Sequence, residues 1–220
     1  AKYGWGDPGQ IQSFAEDAEV TTTNPLEEIT RSSQRAAPDT PAFKRWFGDS
    51  KVVDGSGNPL VVYHGTNRAF TNFARENIGQ ASGNKGFLGA GFYFSGDPKV
   101  ADAYADESGG NVMPVYAAIK NPLVLDDGLS RDAADALNDA LDADFDAGAS
   151  ARSVRDGLSF AFINDPDAAI VFTQALESAG YDGIMFDGAR EIVAFKPAQI
   201  KSAIGNNGEF SQTNNNITKS

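Results

Sequence analysis

The run from Gly86 to Tyr104, Gly-Phe-Leu-Gly-Ala-Gly-Phe-Tyr-Phe-Ser-Gly-Asp-Pro-Lys-Val-Ala-Asp-Ala-Tyr, constrains the fold more than any other stretch. It opens rich in glycine, becomes a short aromatic strand over 91–95, turns at Gly96-Asp97-Pro98 and then reads as a helix over 99–106. Tyr93 and Tyr104 therefore belong to different elements joined by a tight turn, an arrangement that can set two aromatic faces around one flat guest. Taken singly, each tyrosine reads better as a core residue with a satisfied hydroxyl. His64 upstream and Glu191 downstream give the pair its functional weight.

Composition narrows the classes. A chain of 220 residues, 41% of them hydrophobic, can bury one good core. The absence of cysteine excludes disulfides and thiol nucleophiles, and with a single histidine no metal site is expected. The net charge of −12 disfavours phosphate backbones, although much of it is local to 126–146 and Lys44-Arg45 is a small basic spot. No apolar run reaches the length of a membrane span. No basic segment followed by an apolar one opens the chain, so no secretory signal is expected. The chain starts at Ala1, which suggests processing or excision from a longer polypeptide; a monomer or one part of such a polypeptide is expected.

Residues 1–39 are polar, without a sustained apolar period, and read as a flexible segment with one short helix near 11–18. The domain is expected over 40–205. Thr40, Pro41 and Gly48 bracket a helix that turns Phe43, Trp46 and Phe47 inward. A turn at 54–58 between Lys51-Val52-Val53 and Leu60–His64 is a hairpin signature. The Gly/Asn/Lys-rich loop over 79–91 is either a lid or a plain connection. Residues 112–119 form a strand, placed at an edge or bulged by Pro114. Ser130, Ser150 and Asp165 open three helices in an insertion over about 128–180, whose acidic faces read as solvated. A second hairpin turns at Asp187-Gly188 and places Glu191 at the head of its return strand. Residues 206–220, rich in Asn, Gly and Ser, read as a flexible tail.

The ordered set Tyr63-His64-Gly65-Thr66, Gly91–Ser95 with Tyr104, and Glu191-Ile192-Val193-Ala194-Phe195 resembles the ADP-ribosyltransferase superfamily, on the His-Tyr-Glu branch shared by diphtheria-toxin-like and poly(ADP-ribose)-polymerase-like enzymes. The flanks at 42–48 and 196–203 look like the ADP-ribosyltransferase domains of phage polyvalent proteins. The resemblance covers about 40–210. It implies an α+β fold, a split β-sandwich of two antiparallel sheets with the helical insertion, and transfer of ADP-ribose from NAD to an acceptor with release of nicotinamide. Water as acceptor, an NAD glycohydrolase, and a non-catalytic phage-associated binding module on the same fold are the alternatives.

By the same resemblance Glu191 is the catalytic carboxylate, stabilising an oxocarbenium-like ribose and bonding its 2′-hydroxyl. His64 bonds the adenosine ribose, Gly65 offers its backbone to the carboxamide, Thr66 bonds backbone or ribose, and Tyr93 and Tyr104 flank the nicotinamide. The acceptor is open between protein, nucleic acid and a small molecule; a macromolecule is expected, protein favoured over nucleic acid on charge, and the expected setting is a bacterial cytoplasm. The chain departs from its relatives at Ala101, where polymerase-like enzymes carry a serine that Ser95 or backbone groups would replace. Ala189 stands where the arginine-directed branch has the first carboxylate of Glu-X-Glu, so arginine targets reached that way are not expected. Arg190 reads either as a phosphate or acceptor contact or as plain surface.

Overall fold

A computed structural model describes residues 38–67, 70–79, 86–105, 110–165, 167–211 and 213–218. Most of the N-terminal segment, with the helix expected near 11–18, lies outside the described residues, as does the middle of the 79–91 loop.

The first helix forms for local reasons. Thr40 is extended (φ −74°, ψ 143°) and its Oγ1 accepts the Phe43 N–H at 3.1 Å. Pro41 follows at a position that needs no N–H, and Gly48 closes α1 (Pro41–Phe47) by donating to the Lys44 carbonyl. The spacing of Phe43, Trp46 and Phe47 puts three rings on one buried face, where they meet Tyr116 and Phe210.

The described strands are β1 (Val62–Thr66), β2 (Phe92–Phe94), β3 (Asn111–Ala117), β4 (Pro122–Leu125), β5 (Gly183–Phe186), β6 (Glu191–Ala194) and β7 (Ile200–Ser202). The further helices are α2 (Pro98–Asp102), α3 (Arg131–Leu141), α4 (Ala151–Asn164) and α5 (Ala168–Ser178). One sheet runs β1-β3-β7 and the other β2-β6-β5-β4, the α+β pair of sheets that the sequence implies. The pairing is antiparallel except between β4 and β5, which lie parallel from Pro122↔Gly183 to Leu125↔Phe186. A parallel pair needs a long crossover, and α3, α4 and α5 are that crossover.

Strand alternation sorts the core into layers. Val62, Val115, Ala117 and Ile200 of the first sheet face Phe92, Phe94, Ile192 and Ala194 of the second, which makes the sandwich interior. On the second sheet's other face, Leu123, Leu125, Ile184, Phe186 and Val193 pack against the three crossover helices. Helix α1 covers the outer face of the first sheet.

Two expectations are corrected. Pro114 sits in the central strand of its sheet, not at an edge. Its partner Tyr63 directs its backbone bonds to Ser95 instead, and the Pro114 carbonyl accepts from Ala203, just past the end of β7, so no ladder bond requires the missing N–H. The C-terminal stretch also packs on the domain rather than trailing from it. Phe210 and Ile217 are buried, Ile217 N–H donates to the Thr71 carbonyl, and the buried Lys201 Nζ donates to the carbonyls of Asn214 (2.6 Å) and Asn216 (3.4 Å).

Candidate active site

The two sheets touch along one edge. Tyr63 and Ser95 exchange N–H···O bonds of 2.8 and 3.0 Å, bridging the first sheet to β2. The β2–β6 register runs to Phe94↔Ile192, and one further step sets Ser95 opposite Glu191. His64, next to Tyr63, and Glu191 therefore stand on either side of one residue although most of the domain separates them in sequence. A cleft of about 660 Å³ opens at this split. His64, Gly65, Thr66, Tyr93, Tyr104 and Glu191 all line it, and its size suits a small organic ligand.

His64 is caged by Phe70, Phe73 and Phe94, with ring centroids 5.9, 5.1 and 5.6 Å away. Burial among these rings lowers its pKa below the usual 6.5, opposed by the bond to the Tyr93 carbonyl. The neutral ring donates from Nδ1 to that carbonyl at 2.8 Å, which leaves Nε2 as an acceptor with no partner among the described residues.

Tyr93 does more than present a ring. Its hydroxyl donates to the Gly89 carbonyl (2.7 Å) and accepts the Leu88 N–H (2.9 Å), so it pins the glycine-rich turn that leads into β2. Burial raises its pKa well above the usual 10, and nearby Glu191 adds to the shift, so it remains a donor. Tyr104 lies two residues beyond the end of α2 rather than within a longer helix, and is 62% exposed at the rim of the cleft.

Packing alone already requires glycine at position 65. A Cβ there would lie 1.8 Å from the Ala101 carbonyl oxygen, so its bare Cα seats α2 against β1. Ser95 is buried and lines the cleft, and its Oγ accepts the Asp97 N–H that opens the turn before α2. Arg190 is exposed and reaches Asp187 at 3.5 Å. Thr66 ends β1, paired with Asn111.

Glu191 is placed by the second hairpin. Asp187 (φ 49°) and Gly188 (φ 67°) both take left-handed backbone in a four-residue connection, where Phe186 pairs with Glu191 and the Arg190 N–H donates to the Asp187 carbonyl at 3.2 Å; Asp and Gly adopt such backbone at little cost. The Glu191 side chain is 13% exposed and its Oε1 accepts from Arg155 Nη2 at 2.8 Å. Arg155, on α4, is the residue that reading the sequence missed. A signal existed: Ala151, Leu158 and Phe162 are buried, and Arg155 falls on the same helical stripe, a charge at an inward position. Among the described residues no cluster of three or more His, Cys, Asp or Glu could hold a metal ion. None of their helices is long and apolar enough to cross a membrane.

The helices and the two mostly antiparallel sheets, split around this cleft, are consistent with an ADP-ribosyltransferase-like domain. The family described as ADP-ribosyltransferase in polyvalent proteins matches residues 54–210, and the chain belongs to that family. The family's substrate is NAD. Neither curated proteins nor solved structures give a significant match to the chain.

Proposed function

We propose that this chain transfers ADP-ribose from NAD to a macromolecular acceptor, protein in preference to nucleic acid, with release of nicotinamide. The observation that carries this reading is the convergence of His64 and Glu191 on one cleft in a member of this family.

The bond that breaks joins ribose C1′ to the nicotinamide nitrogen. Its electron pair leaves with nicotinamide, whose ring passes from cationic to neutral, and C1′ becomes oxocarbenium-like. An acceptor lone pair then bonds to C1′ and the acceptor gives up its proton. The Glu191 carboxylate stabilises positive charge at C1′ more in the transition state than in bound NAD. With Oε1 on Arg155, its Oε2 is left for the ribose 2′-hydroxyl. His64 Nε2 accepts from the adenosine ribose, Gly65 presents backbone to the carboxamide, and Thr66 supports the same end. The rings of Tyr93 and Tyr104 flank the nicotinamide, where the cationic ring gains about 0.5–2 kcal/mol, part of it lost on departure. The tyrosines therefore orient more than they accelerate. A net charge of −12 favours a protein acceptor over nucleic acid. We place the action in the bacterial cytoplasm, where NAD is available.

The test is incubation of the protein with bacterial lysate and NAD labelled in its adenylate half, followed by mass spectrometry. Labelled protein that disappears with Glu191→Gln supports transfer. Free ADP-ribose as the only labelled product assigns the acceptor as water. Unconsumed and unbound NAD refutes the reading and leaves a binding module.

A further inference from the structure

We infer that Arg155 is a positioning residue for Glu191: from α4 its guanidinium holds one carboxylate oxygen at the head of β6 and leaves the other to face the ribose. The inference rests on the proposed role of Glu191.

Three observations carry it. First, the ion pair is short and partly enclosed, 2.8 Å with side-chain exposures of 35% for Arg155 and 13% for Glu191. On the same helix, Arg152 and Asp156 make a contrast at 3.9 Å with exposures of 91% and 71%, the kind of surface pair that contributes little.

Second, the guanidinium is held on several sides. Its central carbon lies 6.0 Å from the Phe87 ring centroid and 5.8 Å from that of Phe186, so it is positioned against the glycine-rich turn and the end of β5 as well as Glu191. Its Nε is buried with no hydrogen-bond partner. A buried unpaired donor is unfavourable, and the side chain carries that cost while its Nη2 pairs with the acid.

Third, the two ends of the pair are tied to neighbouring residues, one to each. Asp126 Oδ1 accepts the Gly188 N–H at 2.9 Å, fixing the turn that leads to Glu191. Asp127 Oδ1 accepts the Ala151 N–H at 2.9 Å, fixing the first turn of α4, one turn before Arg155. Adjacent aspartates after β4 thus set the distance between the acid and its partner. A carboxylate on an untethered glutamate must be ordered before it can meet a developing charge. One already held does not carry that cost in the reaction.

The experiment compares Arg155→Met and Arg155→Lys, each alone and combined with Glu191→Gln, by the rate of nicotinamide release, the KM for NAD and the melting temperature. Arg155→Met should lower kcat on the order of 10²-fold while KM changes little, since the acid is misplaced and the cleft is not. Arg155→Lys should recover part of the loss, because it keeps the charge without the planar fork. In the Glu191→Gln background Arg155→Met should lower kcat no further, because its effect passes through the missing carboxylate. A melting temperature near wild type for Arg155→Lys keeps the comparison valid if Arg155→Met folds poorly. An unchanged kcat in Arg155→Met, or an equal fold-loss with and without Glu191, overturns the inference. A wild-type protein that releases no nicotinamide overturns the parent reading instead. In that case the positioning of the acid is read by ¹³C relaxation of the glutamate side chains: faster motion of Glu191 in Arg155→Lys supports it, and identical motion overturns it.

Discussion

Replacing Gly65 with alanine tests how the cleft is built. The added Cβ would fall 1.8 Å from the Ala101 carbonyl oxygen, where ordinary contact begins near 3.4 Å, so α2 and β1 must separate by roughly 1.6 Å. The Ala101 carbon, at 2.9 Å, and Tyr104 Cβ, at 3.1 Å, block a sideways escape. Forced overpacking of this kind costs about 1–3 kcal/mol. For a domain of this size that lowers the melting temperature by about 2–4 °C per kcal/mol. Function should suffer more than stability. Tyr104 moves with α2, His64 and Thr66 flank the substituted residue, and a misplacement of about 1 Å can cost on the order of 10²-fold in rate. The assay is kcat/KM for nicotinamide release beside a thermal melt, with Gly55→Ala as control, since a Cβ at Gly55 meets nothing within 4 Å. Unchanged kcat/KM and melting temperature in Gly65→Ala would show that α2 does not rest on β1 and that the cleft is assembled otherwise.

Other parts of the account are open to equally direct checks. Tyr93→Phe leaves the Leu88 N–H without its acceptor, so a loss of about 1–3 kcal/mol is expected in chemical denaturation, with faster amide exchange around 86–90; unaltered exchange would separate Tyr93 from that turn. His64 takes up a proton near 6.5 when unfolded and only at lower pH when folded. Its contribution to stability is therefore complete above that value and is lost as pH falls through the folded pKa. The decline in melting temperature from about pH 7 to 5 should be shallower in His64→Gln, and parallel curves would contradict the caged neutral ring. Lys201→Met removes charge-assisted bonds to the carbonyls of Asn214 and Asn216, expected to cost about 1.5–3 kcal/mol and to speed exchange over 214–217. No change in either would mean the C-terminal stretch is held without it.

What could be read from the chain beforehand was local. Thr40, Pro41 and Gly48 specify their helix within eight or nine positions, and Asp187-Gly188 marks the connection between β5 and β6, because the capping bonds and left-handed dihedrals involve near neighbours. The sorted motifs around His64, Tyr93 and Glu191 were legible as a set, and their convergence depends on the Tyr63–Ser95 bridge, which no short window encodes. The parallel register of β4 on β5 is decided across three helices. Pro114 was misplaced because its tolerance depends on where β7 ends. Phe210 and Ile217 are single apolar residues in an asparagine-rich stretch, without periodicity to announce their burial. Arg155 was passed over because a charged residue in an acidic helical region looks like surface until its helix is set against β6.

The central claim is that the Glu191 carboxylate assists cleavage of the glycosidic bond in NAD rather than simply binding the dinucleotide. Single-turnover release of nicotinamide from NAD, measured for wild type and Glu191→Gln at saturating protein with binding followed by calorimetry, tests it most directly. If the carboxylate acts in this way, the rate is lower by on the order of 10²–10³-fold or more in the variant, with NAD still bound. Equal rates in the two proteins would contradict it.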